Sequence, residues 1–354
     1  MSGPITAIVI AHPVAALLAA AGIRAALALA EGYADAADLR QSNLQDRDAT
    51  RADQATASEQ GRHAMAEQAR AAETAFDQLA TFAERLGIDR QVRATRPSQP
   101  DANDFAAVAA YIRALQMLAE ELRSILLTES ARQMDKLPDH PEQIAIPATA
   151  APLKLAQRLL ARIAHLGAPP QDIAAIALEL DNTLPGERAD LLATELRARI
   201  QAHIEALQQR QVQEATAVII EQSLKDLGYQ VEEVADTLFV EGGVVHFRRQ
   251  SWGEYMVRMR IDAKAGSANF NVIRAVAAGH NERSVLDHIA EDRWCAEFPA
   301  LLNALEVRGV QLNVTRRLEA GELPVQLVEA GKLPTFADED NAIHTAKPLA
   351  REIK

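Results

Sequence analysis

Cysteine is all but missing from this chain of 354 residues, where Cys295 stands alone. A single thiol excludes an intramolecular disulfide and any zinc site built on several cysteines, and it fits a reducing cytoplasm. Aromatic residues are scarce as well, at 4% of the chain, although apolar residues reach 48%. Alanine carries much of that apolar share; it is the strongest helix former and too small to fill a wide core. Helices packed closely over narrow seams are therefore expected. Basic charge is also in deficit. A formal net charge of −12 and a pI near 5.3 oppose general nucleic-acid binding, which rests on neutralising phosphates, but leave room for a local basic site. The signature motifs of chemistry are missing too: no GxxxxGK[ST] loop, no GxGxxG after a strand, no HExxH and no GxSxG elbow. No catalytic residue and no cofactor is assigned on this sequence. At this length two domains with a sizeable core are expected.

What is present begins with an apolar N-terminus. Residues 2–23 carry no charged side chain apart from a titratable His12. The stretch is just long enough to span a bilayer, yet Pro4, His12, Pro13 and many alanines weaken it, and no basic region precedes it as in a secretory signal. Ile10, Val14, Leu17, Leu18 and Ala21 fall on one helical side, so the expectation is a buried helix in a bundle. A membrane anchor at residues 5–30 is the alternative.

Residues 31–62 are polar almost throughout, with helix-forming composition. Met65, Ala69, Ala72, Phe76, Leu79, Ala83 and Leu86 then alternate steps of four and three, a heptad seam closed by Gly87. After a proline-containing loop, Phe105, Val108, Ile112, Leu115, Ala119, Leu122 and Leu126 repeat the pattern. Two such helices joined by a short loop predict an antiparallel hairpin, serving either an intramolecular core or an oligomer. Residues 136–152 hold four prolines and read as a linker. A second helical group follows, ending in a helix over residues 187–227 with a polar waist, QQRQVQE, between two apolar ends. That helix is expected to join two packing units.

Sheet is expected over residues 229–275, in strands at 230–234, 237–240, 244–249, 254–261 and 267–274. Short connections there imply an antiparallel meander. Alternation turns Tyr255, Val257, Met259 and Ile261 to one face, with Val245, Phe247, Phe270 and Val272. That apolar face needs a cover, expected from the end of the long helix and from Val285, Leu286 and Ile289. The other face gathers His246, Arg248, Arg258 and Arg260, with Asn269 and Asn271 nearby. Guanidinium groups bind carboxylate or phosphate bidentately, so this face is the candidate site for a partner or anion, with Trp252 and Tyr255 as stacking groups if the ligand is a nucleic acid. The bland alternative is a solvated face whose arginines pair with the chain's own carboxylates.

Downstream, His288, Asp292 and Cys295 share one helical face, with His280 just before them. They are weak zinc candidates, since a real site recruits ligands from more than one element. Residues 310–315 predict a further strand at the sheet edge; 325–328 is too short to assign. The tail, 331–354, contains proline and is weakly apolar, and is expected to be flexible or draped over the surface.

The fold expected is α+β: an extended, coiled-coil-like helical arm at 1–135, a linker at 136–152, a second helical group at 153–228, an antiparallel sheet domain with helices on one face at 229–330, and the tail. The function expected is a non-enzymatic structural or adaptor subunit of a bacterial-type cytoplasmic assembly, self-associating through its helices and recognising a protein partner or anion through the arginine face. A nucleic-acid-associated factor and a membrane-anchored coiled-coil protein are the alternatives.

Overall fold

The described residues open as a strand, not as a helix. The computed structural model describes residues 5–43, 53–134, 154–232, 243–262, 266–279, 282–334 and 336. In order these form β1 (Ile5–Ala11), α1 (Pro13–Asn43), α2 (Asp53–Leu86), α3 (Asp89–Ala94), α4 (Phe105–Met134), α5 (Leu155–Ala161), α6 (Gln171–Asn182) and α7 (Glu187–Asp226). Then come β2 (Gln230–Val231), β3 (Val244–Arg248), β4 (Tyr255–Asp262), β5 (Ser267–Val276), α8 (Val285–Val307), β6 (Val310–Arg317) and β7 (Gln326–Glu329). The fold is α+β. Two compact units emerge: Met1–Val9, Ile220–Ala304 and Leu312–Lys354 in one, Ile10–Ile219 and Leu305–Gln311 in the other.

The second of these is helical. Its first core joins Leu18, Ala21, Ala25 and Leu29 of α1, Ala72, Phe76, Ala80 and Ala83 of α2, and Ala110 to Leu126 of α4. Of the two heptad seams, Ala72, Phe76 and Ala83 of α2 and Ile112, Leu115, Ala119, Leu122 and Leu126 of α4 are buried while Phe105 is exposed, and α4 is buried on more than its seam, with Ala110, Tyr111, Ala114 and Leu118 also inside. A helix lodged between two neighbours needs a wider apolar stripe than a pairwise seam. Contacts fix the directions. Gly32 meets Ala110, and Arg24 pairs with Glu121 at 3.2 Å, so α1 and α4 are antiparallel. Glu73 accepts a hydrogen bond from Tyr111, while Gly22 touches Thr95, just past the end of α2 and α3, so α2 runs parallel to α4. The expected α2–α4 hairpin is thereby corrected. Ten connecting residues at 95–104, extended around Pro97 and Pro100, can reach roughly 33 Å, enough to return the chain along the bundle. A second core packs Ala131 of α4 with Ala156, Leu159, Ile173, Ala177, Leu196, Ile200 and Ile204 from α5 to α7. The long helix is continuous through its polar waist, as its composition predicts. The proline-rich linker at 136–152 lies outside the described residues.

The sheet unit has seven strands in the order β2-β3-β4-β5-β1-β6, with β7 also on β5. The meander β2 to β5 is antiparallel, as expected. The predicted strand at 237–240 lies outside the described residues. One edge of β5 is shared: β1 pairs antiparallel with Ser267 to Phe270, and β7 pairs parallel with Ile273 to Val276. The N-terminal strand corrects the reading of residues 2–23 as one helix. Ile5, Thr6, Ile8, Val9 and Ile10 form a β-branched run, and Pro13 stands at the first helical position, where its missing N–H costs nothing. By length and composition Pro13–Asp35 could cross a membrane; Ala16, Leu18, Ala20, Ala21 and Ala25 of this helix are buried in protein.

The apolar sheet face is covered by α8, though not by the residues expected. Val285, Leu286 and Ile289 are 87%, 57% and 41% exposed. The cover is Trp294, Phe298 and Leu301, one turn and more further along, with the Trp294 ring edge-on to Phe247 at 5.4 Å and tilted against Phe270 at 5.8 Å. The helix is not broken at Pro299. Its start is fixed by a reciprocal cap: Ser284 accepts from the Leu286 N–H while Asp287 accepts from the Ser284 N–H. Asp287 also accepts from buried Arg274 at 2.8 Å and from the Tyr255 hydroxyl at 2.7 Å. This ion pair seals one end of the apolar face.

Candidate functional site

Register brings the expected residues into three rows across the other face of the sheet. Gln230 and Met256 flank Arg248, and Ile273 lies beyond Met256; His246, Arg258 and Asn271 form the next row; Val244, Arg260, Asn269 and Thr6 form the third. Strand alternation alone puts these side chains together, because residues two apart along β3, β4 and β5 share a face. The grouping of His246, Arg248, Arg258, Arg260, Asn269 and Asn271 is therefore geometrically sound. Their environments differ.

Four of the six have local ties or fall at the margin. His246 presents both its backbone N–H and its Nδ1 to one carboxylate oxygen of Glu232, at 3.1 and 3.0 Å. Arg248 donates to Gln230 at 3.3 Å and lies 5.0 Å from the centre of the Phe336 ring, a cation–π contact. Asn269 accepts from the Thr6 hydroxyl at 2.9 Å. Asn271 is half-buried beside Arg258. Arg258 and Arg260 remain. Arg258 donates to the neutral amide oxygen of Gln326 at 2.7 Å. Burial, and after it the neighbouring Arg260 charge, pull its guanidinium below the ordinary pKa. Among the described residues no carboxylate pairs with either arginine, and Arg260 is exposed. In a chain of net charge −12 this is a local concentration of positive charge.

The face also has a covered end. Met256 and Ile273 belong to it by alternation, yet they are 4% and 0% exposed. β7 borders Ile273 through Gln326, and the chain then proceeds to Phe336, whose ring is against Arg248 on β3. Since β4 lies between β5 and β3, the segment after β7 crosses the Arg248–Met256–Ile273 row, with Leu333, Pro334 and Phe336 half-buried. Sequence reasoning missed Thr6, Gln326 and Phe336. The signal for Thr6 was the β-branched run; nothing local marks the other two, whose partners are tens of residues away.

The proposed stacking groups are not on this face. Trp252 is 5% exposed, edge-on to Tyr229 at 6.0 Å, and Tyr255 is 8% exposed with its hydroxyl on Asp287. Tyr255 follows the parity of Val257 and Met259, the apolar side. That part of the expectation is corrected. The weak zinc candidates do not converge: His288 pairs with exposed Asp292 at 3.4 Å, while burial raises the pKa of the half-buried Cys295 thiol. Among the described residues no three His, Cys, Asp or Glu side chains gather for a metal, and His280 lies outside them. Within the helical unit, a cleft of about 370 Å³ is lined by Met65, Ala69, Phe105 and Val108 and ends at Glu73 and Tyr111. At its polar end Tyr111 donates to Glu73 and Arg96 pairs with Glu73 at 3.3 Å, and Arg70 and Gln99 also line it.

No protein-family model matches this chain, and neither a curated protein nor a solved structure is found similar to it.

Proposed function

We propose that the chain is a non-enzymatic structural or adaptor subunit of a bacterial-type cytoplasmic assembly. Its heptad-patterned helices carry self-association, and its arginine pair recognises carboxylates of a partner protein. The observation that carries this reading is the adjacency of Arg258 and Arg260, two residues apart on β4, with the neutral amide of Gln326 as a hydrogen-bond partner of Arg258 and no carboxylate on either among the described residues. Two guanidinium groups at this spacing make charge-assisted, bidentate bonds to successive carboxylates of an extended peptide. Recognition of a nucleic-acid backbone is supported less well, because the neighbouring Trp252 and Tyr255 are buried and a pair of arginines offers little phosphate neutralisation.

The test is co-purification from source cells of the wild-type chain and of R258E/R260E, with the native mass of each complex. The expected result is a partner held by the wild type and lost by the variant, with self-association unchanged. A partner retained equally by both overturns the assignment to this face. Retention on immobilised nucleic acid with a steep salt slope, abolished by the same variant, transfers the reading to a nucleic-acid ligand.

A further inference from the structure

The cleft between α2 and α4 belongs to the helical unit alone and plays no part in recognition by the arginine face. Its volume, about 370 Å³, is that of a small-molecule site, and its walls are mostly apolar with a few polar groups, as such sites require. We infer that it binds an amphiphilic monocarboxylate, a medium-chain fatty acid, with the tail lying along α2 and α4 and the carboxylate held by Arg70 and Gln99.

Shape selects the tail. Met65, Ala69 and Glu73 mark one wall along α2, a length of about 12 Å. Phe105, Val108 and Tyr111 mark the other along α4, which runs parallel to α2 with Tyr111 level with Glu73. Gln99, Pro100 and Ala102 come from the segment that returns the chain between the two helices. Ala66, Ala69 and Ala102 leave room that larger side chains would fill, while half-buried Met65 and exposed Phe105 offer apolar surface to water. A long slot walled by parallel helices takes an extended chain better than a broad ring system. Charge selects the head. Glu73 is already engaged, accepting from Tyr111 at 3.2 Å and pairing with Arg96 at 3.3 Å. Arg70, three residues before it on α2, has no carboxylate partner among the described residues. Its guanidinium offers the forked donors that hold a carboxylate bidentately, and the Gln99 amide adds a neutral donor.

The experiment titrates the full chain with decanoate, decanol and decylamine by isothermal calorimetry. Decanoate is expected to bind once per chain, with a Kd on the order of 100 µM and a negative heat-capacity change from burial of its tail. Arg70→Glu, at an exposed helical position, should weaken decanoate at least about ten-fold and leave decanol unchanged. Ala66→Trp, also exposed, puts an indole into the slot and should abolish decanoate binding with the helical circular dichroism retained. Should Ala66→Trp lose helicity, Arg70→Glu with its decanol control decides. R258E/R260E should bind decanoate as the wild type does. Absence of decanoate binding at millimolar concentration overturns the inference. Binding that survives in folded Ala66→Trp, or that is lost in R258E/R260E, puts the ligand elsewhere and overturns the site. Equal binding of decanoate and decanol, with no response to Arg70→Glu, overturns the carboxylate head. Tighter binding of decylamine than of decanoate overturns it as well and gives the head to Glu73.

Discussion

The cores of the two units are built by opposite means. The helical unit is closed with alanine: Ala21, Ala25, Ala72, Ala80, Ala83, Ala110 and Ala114 line the seams of α1, α2 and α4, and helices approach so closely that a Cβ on Gly32 would stand 2.5 Å from that of Ala110. The sheet unit is filled with rings: Tyr229, Phe247, Phe270, Trp294 and Phe298 pack at centroid separations of 5.3 to 6.3 Å, edge to face except for the tilted Phe270–Trp294 pair. The scarcity of aromatics is thus a property of the helical unit, and the few available are concentrated where a wide gap between sheet and helix has to be filled. A core of small residues is vulnerable to added volume, a core of large ones to removed volume.

The largest effect is expected on the aromatic side. Trp294→Ala removes a side chain that is 0% exposed and central to the cluster, and should cost about 3–5 kcal/mol. Loss of the sheet unit's near-ultraviolet circular dichroism with retained helical signal is the readout. A loss below about 1 kcal/mol would break the contrast, since that is the scale of surface changes rather than of a core void. On the alanine side the damaging change is enlargement. Ala114→Leu, at a site 0% exposed between α1 and α2, should cost about 1–3 kcal/mol by denaturant unfolding, although leucine is a good helix former. Were Ala114→Leu neutral, the bundle would be looser than its contacts imply.

A smaller effect concerns a charge that the sheet unit buries. Glu291 is 5% exposed and accepts from the Gly321 N–H at 2.7 Å. Burial raises its pKa, an effect reduced by that N–H and by His288, and reinforced by Asp287 and Asp292. A carboxyl whose folded pKa is raised binds its proton more tightly when folded. Its contribution to stability is therefore fully present below the unfolded value, about 4.3, and is lost as pH rises through the folded pKa. Glu291→Gln keeps an oxygen for the Gly321 N–H and removes the charge. It should be more stable than the wild type at pH 7, with the advantage shrinking as pH falls toward the unfolded carboxyl value. An advantage that persists unchanged into acid would assign the effect to packing.

The contrast also explains what could be read in advance. Periodicity exposed the seams of α2 and α4, the continuous α7 and the meander β3 to β5, because each pattern lies within one element. It also sorted Arg258 and Arg260 from Val257 and Met259, since strand alternation is a local rule. What escaped depends on partners distant in the chain. β1 pairs with β5 more than 250 residues away, and its apolar run merged with the alanine-rich start of α1. The parallel course of α2 and α4 follows from a return path that no heptad encodes. Val285, Leu286 and Ile289 looked like the cover for the sheet, yet the large rings of Trp294 and Phe298 set the rotation of α8 instead. Size decided where periodicity alone was ambiguous.

The smallest expected effect has an informative sign. Arg260→Gln removes an exposed charge, so its influence on stability should stay below about 1 kcal/mol and fade with salt. If only the described residues acted on it, the change would relieve repulsion at Arg258, whose pKa the Arg260 charge helps to depress, and stability would rise slightly. The expected outcome is therefore a small gain at low salt, measured as a shift in urea midpoint, that vanishes at high salt. A loss at low salt would mean that Arg260 takes part in an attraction that outweighs its repulsion of Arg258.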